Sequence, residues 1–331
     1  MKIQLNNSTP FVPLQFESMD ARRNLFGVVV LRGSFKIEHG KRLALAEEQE
    51  SLVLEDTYFG DKESSSLRFD SNLSPYKPKT DLLIEATAFS PNGKKMPEWV
   101  SEVDFGGKKK QFKVTGPRQW ETIFGFRKPS EPEPVSSLDV RYENAFGGSL
   151  PDGTVFRDNP VGIGFDKSSG AKYPQILPVD MDLALGEQIP VVGLGPICPS
   201  WDSRLRFSGN CDEDWQENRA PYLPADFDFE FYNVAPNDQK VAGFAKGDEV
   251  IKLKNLYSKG DLAFGLPGLQ VGTVLRFSDG RIIPGPMNLD TIEVQVEQQR
   301  VYMQWRGIFP ATLPIKEIDL RLSAPQYLVA A

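Results

Sequence analysis

The alternation of apolar and polar residues in short segments is the feature that most constrains the fold of this chain. Residues Thr291 to Glu297 alternate cleanly, as expected for an extended strand with one buried face. The inward side chains would be Ile292, Val294 and Val296, and the outward ones Glu293, Gln295 and Glu297. No segment shows three turns of helical periodicity. We therefore expect an all-β protein of mostly antiparallel sheets, sandwich- or barrel-like, with long Gly/Pro-rich loops and little helix.

Turn residues mark the ends of the other predicted strands. The β-branched and aromatic run from Leu25 to Ile37 predicts a strand, and Arg42 to Ala46 a return strand. An Asp-Gly pair at 279–280 predicts a hairpin turn. A three-stranded antiparallel meander is expected from Leu82 to Phe89, Trp99 to Phe105 and Gln111 to Thr115.

The domain organisation has two interpretations. A length of 331 residues fits two domains or one large β-rich unit. Pro129 to Val135 has the composition of a linker or a surface loop. We expect an N-terminal β unit at 1–128 and a loop-rich β unit at 129–331, with one continuous domain over 1–331 as the alternative.

Charge and hydropathy narrow the classes of partner. A net charge of −7 argues against nucleic acid, and the only dense basic run, Lys108 to Lys110, is interpreted as a solvated turn. No stretch approaches the roughly 18 apolar residues of a membrane helix, and the N-terminus lacks an apolar signal core. We expect no membrane insertion and a cytoplasmic location.

Cys198 and Cys211 could form a disulfide, but two free thiols are the favoured interpretation.

No catalytic or cofactor-binding motif is present in the sequence. The single histidine, His39, lies on a polar turn, and there is no phosphate-binding or nucleophile-elbow motif. One histidine and two cysteines cannot form the usual structural zinc site unless carboxylates contribute. We expect a protein that is not an enzyme and that has no catalytic residues, cofactor or metal.

The stretch from Trp201 to Gln239 is richest in aromatic and acidic residues together. Strict alternation from Asp226 to Tyr232 predicts an extended segment with three phenylalanines on one face and Asp226, Asp228 and Glu230 on the other. One interpretation is a half-buried strand or extended loop that places its rings in the core. The other is a carboxylate cluster for a hard cation or for acid/base work on a sugar.

A spaced set of motifs gives a family resemblance. The motifs, in order, are Lys77-Pro78-x-Thr80-Asp81, Gly116-x-Arg118-x-Trp120, Tyr142-Glu143-x-Ala145-Phe146-Gly147-Gly148, Asn159-Pro160-x-Gly162-x-Gly164, Trp201-x-x-Arg204, Leu223-Pro224-x-Asp226-Phe227-Asp228, Ala235-Pro236-x-Asp238-Gln239, Gly247-Asp248-Glu249, Leu289-Asp290-Thr291 and Trp305-Arg306. Over about residues 25 to 310 the chain resembles a bacterial domain-of-unknown-function family encoded beside type VI secretion genes. It departs from the family pattern at Cys211, where a tyrosine is expected.

The resemblance implies an adaptor or chaperone. Such a protein would bind an effector with a PAAR (spike-tip) domain and help to load it onto the VgrG spike. Aromatic residues and arginine are enriched at interface centres, although the same residues could instead hold the core. The candidate partner-binding residues are Trp201, Arg204, Trp215, Asp226, Phe227, Asp228, Phe229 and Phe231. The alternatives are a carbohydrate-binding or carbohydrate-active protein that uses Asp226, Asp228 and Glu230, and a structural component of the secretion machine.

Overall fold

A computed structural model describes residues 3–181 and 189–323, and strands dominate these ranges. The strands are β1 (Gln4–Asn7), β2 (Val12–Met19), β3 (Leu25–Lys36), β4 (Ala44–Leu45), β5 (Thr57–Tyr58), β6 (Leu67–Phe69), β7 (Thr80–Glu85), β8 (Thr87–Phe89), β9 (Glu98–Phe105), β10 (Lys108–Thr115), β11 (Trp120–Ile123), β12 (Phe126–Pro129), β13 (Ser137–Asp139), β14 (Phe146–Gly147), β15 (Ile163–Gly164), β16 (Ile176–Leu177), β17 (Lys240–Val241), β18 (Val250–Lys254), β19 (Leu262–Gly265), β20 (Gln270–Phe277), β21 (Ile282–Pro286), β22 (Asn288–Gln295), β23 (Arg300–Pro310) and β24 (Ile315–Ser323).

Helical structure in the described residues is limited to short pieces. These are α1 (Asp202–Leu205), α2 (Glu213–Asn218) and the 3₁₀ turns Pro91–Gly93, Tyr142–Asn144, Phe229–Tyr232 and Asn237–Gln239. None of the helices in the described part of the chain is long and apolar enough to cross a membrane.

Three large sheets form the body of the protein. The seven-stranded sheet has the order β17-β7-β22-β23-β3-β2, with β4 beside β3; the five-stranded sheet is β16-β10-β9-β18-β19 and the four-stranded one β1-β24-β20-β21. Most pairs are antiparallel, whereas β7 with β22, β1 with β24 and β14 with β15 are parallel. The prediction of an all-β, mostly antiparallel protein with little helix is confirmed. Both the seven- and the five-stranded sheets combine strands from before and after residue 129.

One apolar core joins the three large sheets. Ile292, Val294 and Met303 of the seven-stranded sheet belong to the same buried cluster as Phe112 of the five-stranded sheet and Ile318 of the four-stranded sheet. Alternation within each strand places these side chains on one face. The predicted inward residues Ile292, Val294 and Val296 are all fully buried.

The opposite face of the seven-stranded sheet is also buried, and this corrects two of the three predicted outward positions, whereas Glu297 is exposed as predicted. Glu293 and Gln295 are 7% and 8% exposed. The segment that follows β4 covers them: Arg32 Nη1 donates to the Ser51 carbonyl at 2.8 Å, and Tyr302 Oη donates to Glu50 at 2.6 Å. This covering segment has no apolar period, so the sequence pattern did not indicate it.

The predicted meander is correct for two strands and wrong for the third. β9 and β10 form the expected antiparallel hairpin, in which Lys113 lies opposite Val100. The segment from Leu82 to Phe89 instead divides into β7, which runs parallel to β22, and β8, which pairs with β13. Turn residues determine a local chain reversal, but burial decides which sheet a strand joins. β7 is buried on both faces, as is typical of a strand in a parallel pair.

The two other predicted hairpins are confirmed. β4 pairs antiparallel with the end of β3, and β20 pairs with β21 across the Asp-Gly turn.

The basic run Lys108 to Lys110 is part of β10 and not a solvated turn. The turn is made by Gly106 and Gly107, which have φ angles of 57° and 93°. Because a strand has a period of two, Lys110 shares the inner face with Phe112 and is buried with it, while Lys108 and Lys109 are exposed.

Two glycines of one loop should differ sharply in their tolerance of a side chain. Gly148 and Gly153 both have left-handed φ angles, of 97° and 88°. A Cβ on Gly148 would lie 2.5 Å from the Gly162 carbonyl oxygen, whereas a Cβ on Gly153 would have no atom within 4 Å. We expect Gly153→Ala to lower the free energy of unfolding by about 1–2 kcal/mol. Gly148→Ala should cost at least about 2 kcal/mol more because it adds the clash. Urea denaturation measures both, and equal losses would contradict the described contact.

Candidate functional site

The centre of the aromatic-acidic stretch is not a strand, so the predicted alternation of faces is wrong. Residues Phe229–Tyr232 form a 3₁₀ turn, and the Asp228 carboxylate accepts a hydrogen bond from the Glu230 backbone N–H at 2.9 Å. An aspartate that caps a helical turn offers the backbone an alternative to a sheet ladder. The alternating pattern alone does not distinguish a strand from such a capped turn.

The phenyl rings nevertheless form one cluster. Phe227 lies 5.6 Å from Phe229 and 5.7 Å from Phe231, measured between ring centroids. Phe229 also contacts Tyr76 and Phe26, at 5.5 and 6.5 Å. Phe227, Phe229 and Phe231 are all half-buried. The cluster therefore packs the turn against the start of β3, as the core interpretation expects of these rings.

The three carboxylates of this stretch each bond a different part of the chain. Asp226 accepts hydrogen bonds from the backbone N–H and the side-chain amide of Asn210, at 3.0 and 2.6 Å. Asp228 caps its own turn. Glu230 forms ion pairs with Lys79 and Lys240. Among residues 3–181 and 189–323, no group of three or more His, Cys, Asp and Glu side chains could hold a metal ion.

Trp201 and Arg204 lie inside the protein. Trp201 is 3% exposed and packs edge-to-face on Tyr142 at 5.0 Å. Arg204 donates to the carbonyls of Phe231 and Ile197, at 2.7 and 2.9 Å, and pairs with Asp70 at 3.1 Å. Burial raises the pKa of Asp70, an effect that the Arg204 charge opposes.

Trp215 lies near the surface on α2. The helix begins at Asp212, whose carboxylate accepts a hydrogen bond from the Trp215 backbone N–H at 2.9 Å. The indole N–H of Trp215 donates to the Tyr222 carbonyl at 2.8 Å, and Arg23 lies over the Tyr222 ring at 4.9 Å. Of the predicted partner-binding residues, Asp226 and Asp228 are exposed, Trp215 and the three phenylalanines are half-buried, and Trp201 and Arg204 are buried. Their role in partner binding stays a prediction.

A buried carboxylate connects several of the motifs that carry the resemblance. Asp81 is fully buried, and its oxygens accept hydrogen bonds from Asn233 Nδ2 at 3.0 Å and from the backbone N–H groups of Val234 and Ala235 at 2.9 and 3.2 Å. Lys77, also buried, pairs with Asp81 at 3.0 Å. We refer to these five residues as the Asp81 network.

The network extends to β22 through two further contacts. Lys77 Nζ donates to the Thr291 hydroxyl at 3.1 Å. The Thr80 hydroxyl donates to the Leu289 carbonyl and accepts from the Ala245 N–H at 2.8 Å. Motifs that are separated by some 200 residues thus meet at one place.

A second buried cation completes this region. Lys110 Nζ donates to the Gly193 carbonyl at 2.7 Å, to Gln239 Oε1 at 2.7 Å and to Asp238 at 2.8 Å. Burial lowers the pKa of Lys110, and Asp238 opposes that effect. Gln239 in turn donates to the carbonyls of Leu82 and Leu194, at 2.8 and 3.0 Å. The side chains of Lys110, Asp238 and Gln239 form hydrogen bonds with backbone groups and with each other. We therefore assign them a role in the stability of the fold.

The most exposed apolar feature in the described residues is a hairpin that the sequence interpretation did not predict. β11 and β12 pair through Trp120 opposite Pro129 and Ile123 opposite Phe126. Phe124 and Gly125 form the tip, with φ angles of 50° and 82°. Phe124 is 97% exposed and Phe126 78% exposed. The sequence signal for this hairpin was a two-residue turn that ends in glycine. The signal was missed because the usual first residue of such a turn is asparagine or aspartate.

A groove with a volume of about 990 Å³ lies at the base of this hairpin. Its charged lining residues include Glu121, Glu131, Glu133, Arg118 and Lys172. Arg118 donates to the Ser130 carbonyl at 2.7 Å and lies over the Tyr173 ring at 4.9 Å, which fixes the guanidinium in the wall. The groove and the hairpin tip together form the candidate contact surface.

Comparison with known proteins gives one family. The model of a family described as an uncharacterized protein conserved in bacteria (DUF2169) matches residues 22–306. No curated protein and no solved structure matches the chain.

Removal of the Asp81 carboxylate should severely destabilise the protein. Asp81→Ala leaves the buried Lys77 charge and the donors of Asn233, Val234 and Ala235 without their acceptor. We expect a loss of about 3–5 kcal/mol in the free energy of unfolding. As a control, Glu47→Ala removes the exposed ion pair with Lys36 and should leave the unfolding midpoint nearly unchanged. Similar midpoints for both variants would contradict the structural role of Asp81.

The two cysteines should differ in reactivity, because Cys198 is buried and Cys211 is exposed, and both are free. Burial raises the pKa of Cys198 to about 11. At a pH of about 8.5, well under about 1% of such a thiol is thiolate. We expect a thiol reagent to label one cysteine of the native protein and both in denaturant. Cys211→Ser should abolish the native-state labelling, and residual labelling in that variant would show that Cys198 is accessible.

Proposed function

The chain belongs to the bacterial family DUF2169, and we propose that it is a non-enzymatic adaptor or chaperone for a PAAR-domain effector of type VI secretion. In this role it binds the effector in the cytoplasm and helps to load it onto the VgrG spike. The family assignment supports a bacterial protein. The secretion role rests on the sequence resemblance and on the surface described above.

The observation that carries the proposal is the apolar hairpin tip. The two exposed rings of Phe124 and Phe126 are unfavourable in water, and each ring that moves into a partner contributes about 1.5–3 kcal/mol. Apolar projections of this kind on soluble proteins mark interaction sites. A protein that acts by binding a partner needs such a surface.

The backbone at the tip supports the same proposal. Phe124 has a φ of 50°, in a region that bulky residues seldom adopt and that favours glycine, asparagine or aspartate. Phe124 therefore occupies a turn position that disfavours bulky residues, and its apolar ring is exposed to water. Such local strain is concentrated at binding and switch sites.

The carbohydrate alternative lacks a supporting contact. Asp226, Asp228 and Glu230 each bond a different part of the chain, and no shared contact joins two of them as the pair that glycoside chemistry uses. The adaptor proposal therefore remains the better supported one.

Co-expression with the PAAR-domain effector encoded beside the gene tests the proposal. We expect a stoichiometric complex in size-exclusion chromatography, and an effector that is less soluble when expressed alone. The double variant Phe124→Ser/Phe126→Ser should weaken the complex by about tenfold or more, because two apolar contacts are lost.

The matched control is Ile282→Ser/Ile283→Ser, which removes two side chains that are 57% and 44% exposed on another hairpin. It should bind the effector like the wild type. A wild-type chain that forms no complex, with an effector equally soluble without it, would overturn the adaptor proposal.

A further inference from the structure

We propose that the groove at the base of the hairpin receives an extended segment of the effector, in which a Lys or Arg lies about four residues from an apolar side chain. This inference rests on the proposed function and specifies the chemistry of the partner. Two features of the groove carry it, namely the shared face of the hairpin and a set of fixed, unpaired carboxylates.

The groove continues along one face of the hairpin to the apolar tip. Glu121 lines the groove, and Ile123, two residues further along β11, lies on the same face. Phe126 is directly opposite Ile123, and directly opposed side chains share a face. Ile123 and Phe126 are both exposed, so they form an apolar end to the groove.

The other end of the groove is acidic. Glu131 and Glu133 are exposed, and neither they nor Glu121 form an ion pair with any residue in the described ranges. Arg118 is held against Tyr173, and Lys128 lies across the strand pair from Glu121. Among the lining residues, Lys172 is an exposed cation, whereas Arg118 is half-buried. Carboxylates without a cation of their own attract a cationic group from a partner.

The acidic end is rigid. Glu131 and Glu133 alternate with Pro129, Pro132 and Pro134, which restrict the backbone. This segment was interpreted as a linker or a surface loop, and its backbone hydrogen bonds make it a fixed surface loop. Ser130 N–H donates to the Gln119 carbonyl at 2.8 Å and Glu133 N–H to the Pro117 carbonyl at 3.1 Å.

The far end of the segment is fixed in the same way. Val135 and Met96 exchange two backbone hydrogen bonds, at 2.9 and 3.0 Å. The backbone of Gly116 approaches Glu133 so closely that a Cβ on Gly116 would overlap the Glu133 carbonyl. A fixed backbone loses little entropy when a partner binds, so the carboxylates are preorganised.

The spacing of the two ends defines the partner segment. Gln119, whose carbonyl accepts the Ser130 N–H next to Glu131, lies four positions before Ile123, which is about 13 Å in an extended chain. An extended partner segment spans the same distance with about four residues. An apolar side chain would cover Ile123 and Phe126, while a Lys or Arg would pair with Glu131 or Glu133.

The test measures the affinity of the wild-type chain and of Glu131→Lys/Glu133→Lys for the PAAR-domain effector. Reversal of both charges should weaken binding by about tenfold or more and reduce its dependence on salt. The control Glu55→Lys/Glu63→Lys reverses two exposed glutamates elsewhere and should bind like the wild type. Circular dichroism of each variant verifies that the fold is intact.

The outcomes separate the two proposals. If the groove variant binds like the wild type, the inference is overturned and the adaptor function stands. If the wild-type chain forms no complex, the adaptor function fails and the inference fails with it.

Phosphatidylglycerol vesicles test whether the partner is a lipid surface and not a protein. If the wild type binds them, the serine tip variant does not and the groove variant does, the hairpin serves a lipid surface and the inference is overturned.

Discussion

The buried Asp81 carboxylate is the interaction on which the rest of the structure depends. A charge in the interior is tolerated only when it is paired and hydrogen-bonded, and Asp81 has one cation and three N–H donors around it. Those donors come from the end of the aromatic-acidic stretch. The carboxylate therefore attaches an otherwise irregular segment to β7, which lies next to the edge strand β17 of the seven-stranded sheet and runs parallel to β22.

The same principle explains why so many motif residues are polar and yet buried. Loops that pass through the interior have backbone groups without a sheet partner, and these must be satisfied by side chains. The motif residue Gln239 bonds the carbonyls of Leu82 and Leu194 in this way. Its side-chain oxygen in turn accepts from Lys110, which also bonds the Gly193 carbonyl and Asp238. The motifs are thus the means by which long irregular loops become part of a rigid body.

A rigid body of this kind can present a small contact surface accurately. Binding residues commonly lie on loops and hairpins that a scaffold positions. Here the hairpin of β11 and β12 stands beside strands and loops that are fixed by backbone hydrogen bonds at 96, 117 and 135. Many motif residues thus lie in the interior, although Arg118 lies in the wall of the groove, whereas the exposed phenylalanines lie on the contact surface.

The sequence by itself determined the fold class and several of the longer strands, because a period of two and turn residues are local properties. It also indicated the aromatic cluster at Phe227, Phe229 and Phe231, although through a strand that does not exist. Tertiary structure alone decided that Leu82 to Phe89 serves two sheets, that Lys110 and Glu293 are buried, and that Trp201 and Arg204 face inward. These outcomes depend on which segment covers which face, and the covering segments have no periodic pattern. The exposure of Phe124 was likewise decided by the fold, since a phenylalanine in a sequence gives no sign of whether anything packs on it.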